Sequence, residues 1–475
     1  MMSIVLGLIV FLAVIAAVIG FGGVLHWGRQ REIGLLPYIF YPIIFSVMLA
    51  KMTSGRDFSL MPTSESGIAA HESTPAYVFV IARCITLFIL VAVSERIINR
   101  VLHYGRNPKV PMGLLLCFIF FFLTTVVLAA FLGTHPSISH EYMYLFLGGS
   151  AALLFSEAEG DVAIRNVRNA MLVCLVVSAC FLIVAPQMVI RTGYLDGVVP
   201  GLTVRYAGLT SHSNTMGGLT VVYLLCLSSR PYKGWLNRFA WIIGLITLVI
   251  AQSKTSWITF SLSTLSLSYF RYSEILKRYF FDFRRPFFLV MALSLVMIMF
   301  TVLISVLLFS SSGNFLNSFL MSQAGADLMT MTGRAQIWEV AVLEWQRNPL
   351  FGYGLTIWND AHRAKIGISA AVTAHSQFYQ TLSSSGIVGV IGLVIYVLTL
   401  LFYALKTVRV SQGLTLALFL MVMFRSMSEV PLTMVGYYGP DELTHLIILM
   451  VIASHFSGLQ TNAANLKTPP AHALL

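Results

Sequence analysis

Long apolar blocks recur from one end of the chain to the other, parted by short clusters of Lys, Arg, Gly and Pro. A helix needs about 20 apolar residues to cross a ~30 Å hydrocarbon layer. On that measure the blocks predict spans near residues 3–25, 36–52, 76–94, 111–132, 142–157, 169–190, 214–230, 237–252, 254–270, 286–309, 385–405, 413–430 and 441–457, about 12–13 in all. The block at 142–157 is short. The one at 413–430 is interrupted by Arg425, Glu429 and Pro431, which leaves a broken or re-entrant helix open there. A bilayer offers no water to unpaired backbone, so the predicted fold is all-α, a polytopic transmembrane helical bundle.

One integral membrane domain is expected over 1–457, with a large outer loop at 310–380 inside it and a disordered cytoplasmic tail at 458–475. The loop is several times longer than an ordinary connection, the mark of a functional or a disordered segment. Its own pattern argues for order. Trp338, Ala341, Val342 and Trp345 fall at i, i+3, i+4 and i+7, which predicts an amphipathic helix over Ala335–Trp345, and "NPLFGYG" stops it with Pro349 and two glycines. Two tryptophans suit a helix at the membrane interface.

Composition agrees with the pattern: 57% of residues are hydrophobic and 10% charged, with a mean hydropathy of +0.82. A soluble domain carries roughly a quarter charged residues. The five cysteines, Cys84, Cys117, Cys174, Cys180 and Cys226, all lie inside apolar spans and read as small core residues, without disulfide or metal-ligand spacing. The first apolar block lacks a basic start and a small-residue cleavage site, so it reads as a span and not as a removed signal peptide.

Charge sets the orientation. Lys and Arg collect on alternate connections: Arg29/Arg31, Arg96/Arg100/Arg106/Lys109, Arg165/Arg168, Arg230/Lys233/Arg238, Arg271/Lys277/Arg278/Arg284/Arg285 and Lys406/Arg409. Basic loops stay in the cytoplasm, which puts 53–75, 133–141, 191–213, 252–254, 310–380 and 437–440 outside. The excess of 30 basic over 19 acidic residues thus lies mostly beside anionic membrane lipids and requires no nucleic acid. Arg191, Arg205, Arg334, Arg347, Arg363 and Lys365 depart from the rule by falling on the outer side, and point to an anion handled there.

Four stretches carry the candidate chemistry. Thr332 is a natural N-cap that would set Arg334 in the first turn of the predicted helix, where free N–H groups, the dipole and a guanidinium suit a phosphate. A snorkelling arginine is the alternative. Arg205, in "RYAGLTSHSN", is either a second phosphate clamp or an interfacial anchor. Lys254, in "QSKTSW", sits in a turn between apolar spans and faces either a substrate cavity or the membrane surface. His375, in "TAHSQFYQTLSSSGIVG", is either a structural histidine or, on the same side as several arginines, one whose neutral imidazole can take a proton from a sugar hydroxyl; His212 and His362 compete with it there, and the residues alone do not choose among the three.

In combination, "RYAGLTSHSNTMG", "SKTSW", "TGRAQIWEVAVLEWQRNPLFGYG" and "AHSQFYQTLSSSGIVGVIG" resemble the superfamily of bacterial O-antigen ligases and Wzy-type polysaccharide polymerases, over about residues 200–395. Ser376 departs from that family's pattern, which has Asn after the histidine. The resemblance implies a metal-independent, inverting glycosyltransferase of the bacterial inner (cytoplasmic) membrane with its site facing the periplasm and no cofactor. The donor would be an undecaprenyl diphosphate-linked oligosaccharide and the acceptor another glycan or lipid A core, with membrane lipids and other polysaccharide assembly proteins as partners. Polymerisation of repeat units is the expected activity and O-antigen ligation the alternative. Arg334 and Arg205 are expected on the diphosphate and His375 at the acceptor hydroxyl, with Lys254, Arg347, Trp338 and His212 in substrate binding. No metal is expected, since Asp327, Asp360 and Asp441 are scattered. A transporter or flippase of lipid-linked sugar is the reading from another class, though no internal repeat supports it.

Overall fold

The structure, a computed structural model, describes residues 2–31, 33–58, 75–102, 109–193, 202–280, 334–367 and 372–465, with single positions at 290, 294 and 297. The expected span at 286–309 and the loop from 310 to 333 lie outside this description. The helices are α1 (Met2–Gln30), α2 (Phe40–Met52), α3 (Ala76–Leu102), α4 (Met112–Phe122), α5 (Leu128–Leu132), α6 (Tyr144–Ala152), α7 (Glu157–Val184) and α8 (Pro186–Val189). There follow α9 (Ser213–Ser229), α10 (Trp235–Ala251), α11 (Lys254–Phe280), α12 (Arg334–Arg347), α13 (Asp360–Ile366), α14 (Gln377–Thr407), α15 (Leu414–Ser426) and α16 (Pro440–Asn465). One two-stranded antiparallel ribbon, β1 (Ile190–Thr192) with β2 (Val204–Tyr206), is the only sheet among the described residues.

The all-α polytopic reading holds. Among the described residues, five helical stretches are long and apolar enough to cross a membrane: Ala76–Leu102, Met112–Leu132, Glu157–Val184, Gln377–Thr407 and Pro440–Thr461. Shorter apolar helices, Leu36–Met52, Trp235–Ala251 and Leu414–Ser426, complete the bundle. The short block at 142–157 forms only the nine-residue α6, and α16 runs on to Asn465, past the expected end of the last span.

Helix α9 stands at the centre. Its sequence, SNTMGGLTVVYLLCLSS, has no polar face, and every residue from Met216 to Leu227 is buried. A helix apolar all round must be enclosed by protein or by lipid, and here protein encloses it. Glycines let the neighbours close in: Gly244 of α10 leaves room for Leu224 and Tyr223, and Tyr223 donates its hydroxyl to the Ala240 carbonyl at 3.0 Å. Helix α16 is equally enclosed from Leu446 to Ala453. By contrast α14 exposes Val394, Leu398, Phe402 and Leu405 along one side, an apolar surface suited to lipid.

Between α4 and α5 the chain makes one π-helical turn, Leu123–Val127. Such a turn leaves a carbonyl without its usual helical partner. Ser385 of α14 supplies one, donating to Thr125 O at 2.6 Å, and Gly392 admits Thr124 on the same interface. This pins the first turns of α14, and with them residue 375, to the bundle.

Candidate functional site

The described residues of the connections 53–58, 185–193, 202–212, 252–253, 334–367, 372–376 and 427–439 meet at one end of the bundle. Arg56, almost fully buried, donates to the carbonyls of Met188 (2.8 Å), Gly208 (2.6 Å) and Thr210 (2.6 Å). Gln252, in a left-handed turn (φ 50°), donates to Leu202 O at 2.7 Å. The strand carrying Arg205 is therefore held from two sides.

Helix α12 forms where the periodicity predicts it and ends at Arg347, just before Pro349. The turn after it needs glycine: Gly352 and Gly354 have φ of 71° and 113°. The N–H groups of Tyr353 and Gly354 then donate to the carbonyls of Ser383 and Ser384 (2.8 and 3.1 Å), fixing the turn to α14. Trp338 donates its indole N–H to Ala374 O at 2.9 Å and stacks on Tyr379, with ring centroids 4.8 Å apart. The helix is thus docked on α14 by its tryptophan. Thr332, the expected cap, falls outside the described residues.

His375 precedes α14 with φ 48°, a conformation that costs a non-glycine residue about 1–2 kcal/mol. Its N–H donates to Thr373 Oγ1 at 3.2 Å, and its ring Nδ1 lies 3.4 Å from Glu429 Oε2. Glu429 Oε1 accepts from Asn214 Nδ2 at 3.3 Å, and Asn214 Oδ1 accepts from Arg205 Nη2 at 2.8 Å. A continuous line, Arg205–Asn214–Glu429–His375, joins three separate parts of the chain. Burial opposes ionisation of Glu429, yet the His375 ring, Arg425 and Arg334 outweigh it and bring its carboxyl down to about 2. Arg334 therefore acts on the same carboxylate as His375.

Of the expected site residues, the structure gathers His375, Arg334 and Arg205 around Glu429, with Trp338 beside them. It gives others different partners. His212 is the N-cap of α9, its Nδ1 accepting from Asn214 N at 3.2 Å, so this ring orients Asn214. Arg347 is 63% exposed and paired with Glu344 at 2.8 Å. His362 lies in a separate small core with Tyr353, Ile357 and Trp358, its Nδ1 3.0 Å from the Tyr353 hydroxyl. Burial pushes its pKa below the ordinary histidine value, although Glu344 pulls the other way. Lys254 opens α11 with its side chain exposed, whereas its neighbours Ser253, Thr255 and Ser256 line the cavity beside Glu429.

The sequence does not single out Glu429 and Asn214 as the residues that join His375 to Arg205. The signal was a carboxylate interrupting an apolar block, usually a functional feature. The block at 413–430 does break: α15 has 13 residues, and the chain from 427 to 439 returns without helix, so Glu429 sits at the bundle end beside His375.

Residues 239–394 match the family model described as O-antigen ligase. The match spans 239–394 of the 475 residues, and over that segment the chain is similar to the O-antigen ligase family. It holds Arg334, Trp338 and His375, while Arg205, Asn214, Arg425 and Glu429 lie outside the match and reach the ligase segment through the fold. No curated protein matches the chain. The family and the apolar helices together support a multi-pass membrane protein of the O-antigen ligase or polymerase type, acting in glycosyl transfer.

Proposed function

We propose that the protein transfers a glycan from an undecaprenyl diphosphate donor to a sugar hydroxyl, at the periplasmic face of a bacterial inner membrane. The observation that carries this reading is the placement of His375, Arg334 and Arg205 around one carboxylate. With Nδ1 turned to Glu429, the His375 ring keeps Nε2 for the acceptor hydroxyl. The hydroxyl oxygen attacks the anomeric carbon, its proton passes to Nε2, and the bond to the diphosphate oxygen breaks with its electron pair leaving on the phosphate. Glu429 balances the imidazolium, and Arg334 and Arg205 take the charge that develops on the diphosphate. Displacement in one step inverts the anomeric centre, and none of these roles requires a metal.

Two further features suit a lipid-linked donor. Arg191 stands directly opposite Arg205 in the β1–β2 ribbon, which sets two cations side by side on this face. An open cleft of about 450 Å³ next to Ser376 and Gln377 is lined by Trp338, Phe378, Val394, Leu398, Met423 and Met427, an apolar surface for a polyprenyl chain.

Polymerisation of an exopolysaccharide or O-antigen repeat is the first reading of the acceptor. Ligation to lipid A core is the second, favoured by the description of the matched family. Reconstitution with an undecaprenyl diphosphate oligosaccharide in the presence of EDTA tests both. A ladder of longer lipid-linked glycans establishes a polymerase, and transfer only on adding lipid A core establishes a ligase. Arg334→Ala should abolish either reaction in a folded protein. Sugar crossing the bilayer with no donor consumed would replace the enzyme by a transporter.

A further inference from the structure

Behind the His375–Glu429 pair lies a second charged pair, which the proposed chemistry does not use. Arg425, near the end of α15, is 4% exposed and places Nη2 2.7 Å from Asp441 Oδ1 at the start of α16. Among the described residues its buried Nη1 and Nε have no hydrogen-bond partner. The same guanidinium lines a small polar cavity with Glu429, Asn214, Ser253, Ser256 and Ser428. Its backbone carbonyl also accepts the N–H groups of Ser428 (3.0 Å) and Glu429 (2.8 Å), so the turn presenting Glu429 is wound on Arg425 itself. Gly218 of α9 is what admits it: a Cβ there would overlap Nη1.

Leaving two donor nitrogens of a buried guanidinium unpaired is costly unless a charge nearby compensates for it. Asp441 neutralises one edge of Arg425, and the other edge faces the Glu429 cavity. The remaining charges around Glu429 are His375 and Arg334, with Arg205 reaching it through Asn214; Glu442, which accepts from Gly439 N at 3.0 Å, acts on Arg425 and Asp441. Of these, Arg334 is committed to the diphosphate once a donor binds.

We infer that Arg425, braced by Asp441, is a positioning residue that keeps Glu429 ionised as the partner of His375 while Arg334 is engaged by the donor. The inference rests on the glycosyl-transfer reading for its purpose, but its physical content concerns the free protein and is read without substrate.

The test is an infrared titration of the Glu429 carboxyl in the full-length protein in detergent, its band assigned by loss in Glu429→Gln. Arg425→Met should raise the pH at which Glu429 protonates by about one unit or more, a tenfold change in the protonation equilibrium. Arg425→Lys should stay close to wild type. Adding Asp441→Asn to Arg425→Met should bring the titration back down, because it removes the anion left behind. Should Arg425→Met not fold, Gly218→Ala displaces the guanidinium with its charge intact and should raise the titration likewise. An unmoved titration in the folded Arg425→Met or Gly218→Ala protein, or a double variant no lower than Arg425→Met, would overturn the inference and leave Arg425–Asp441 as a tie between helices. A protein that shows these shifts but transfers no glycan would sink the transferase reading alone.

Discussion

Two glutamates are buried at opposite ends of the bundle, and they are buried differently. Glu159, at the start of α7, is wholly inaccessible. It accepts from Ser156 N (3.0 Å) and Oγ (2.8 Å) in a capping box and from Gly34 N (3.3 Å), and it is paired with Arg96 and with Arg100 at 3.4 Å. Glu429 keeps 18% of its side chain accessible and holds a histidine that is 27% exposed. Both carboxylates face arginines, and Glu429 lines a cavity. A sealed network ties helices together, whereas an open one with a strained histidine is where the proposed chemistry is placed.

The comparison breaks first at His375. Replacing it with alanine should lower transfer by about 10²–10⁴-fold, the usual worth of a general base, while thermal unfolding in detergent stays near wild type. Full activity in His375→Ala would leave the left-handed backbone at 375 without a catalytic account.

Glu429→Gln comes next, with an expected loss of about 100-fold from an imidazole that is no longer charge-balanced or held in place. It also carries a pH signature. The folded carboxyl is depressed from 4.5 to about 2, so its contribution to stability is complete above the unfolded value and lost as pH falls from there toward the folded one. Acid unfolding of wild type and Glu429→Gln should therefore converge over that window. Parallel curves would mean that Glu429 gains nothing from its cations.

Glu159→Ala should do the reverse: destabilise by up to about 3–5 kcal/mol, because Arg96 and Arg100 lose a buried counter-charge and keep only Glu95 near them, yet leave turnover per folded molecule unchanged. Melting temperature and turnover measured on one preparation separate the two effects. A selective loss of turnover would show that the two ends are coupled.

Much of this architecture is legible in the apolar pattern, because a bilayer requires helices and about 20 residues to each crossing. The helix at Arg334–Arg347 and its glycine turn were readable from a seven-residue period and a Pro-Leu-Phe-Gly stop. The Glu429–His375 pairing was not, since 54 residues separate the two and nothing local to either announces the other. Nor does the local sequence show that the His212 ring caps α9, or that Arg347, expected in substrate binding, pairs with Glu344 on its own helix.

Arg347 is accordingly where the smallest effect is expected. It is mostly exposed, and an exposed ion pair is worth about 0–1 kcal/mol. Glu344, however, is 6% exposed and lies 3.6 Å from His362 Nε2. Without Arg347, the carboxylate would depend on that histidine. Since Arg347 is among the charges holding the His362 pKa down, its removal should raise that pKa and draw a proton onto the ring, so that the buried carboxylate finds a new counter-charge. Arg347→Ala should therefore cost less than about 1 kcal/mol and change transfer by less than twofold, with a slightly larger loss of stability above the His362 pKa than below it. A tenfold fall in transfer at unchanged stability would return Arg347 to the substrate, and would mean that the anion-handling face extends beyond Glu429 to the far end of α12.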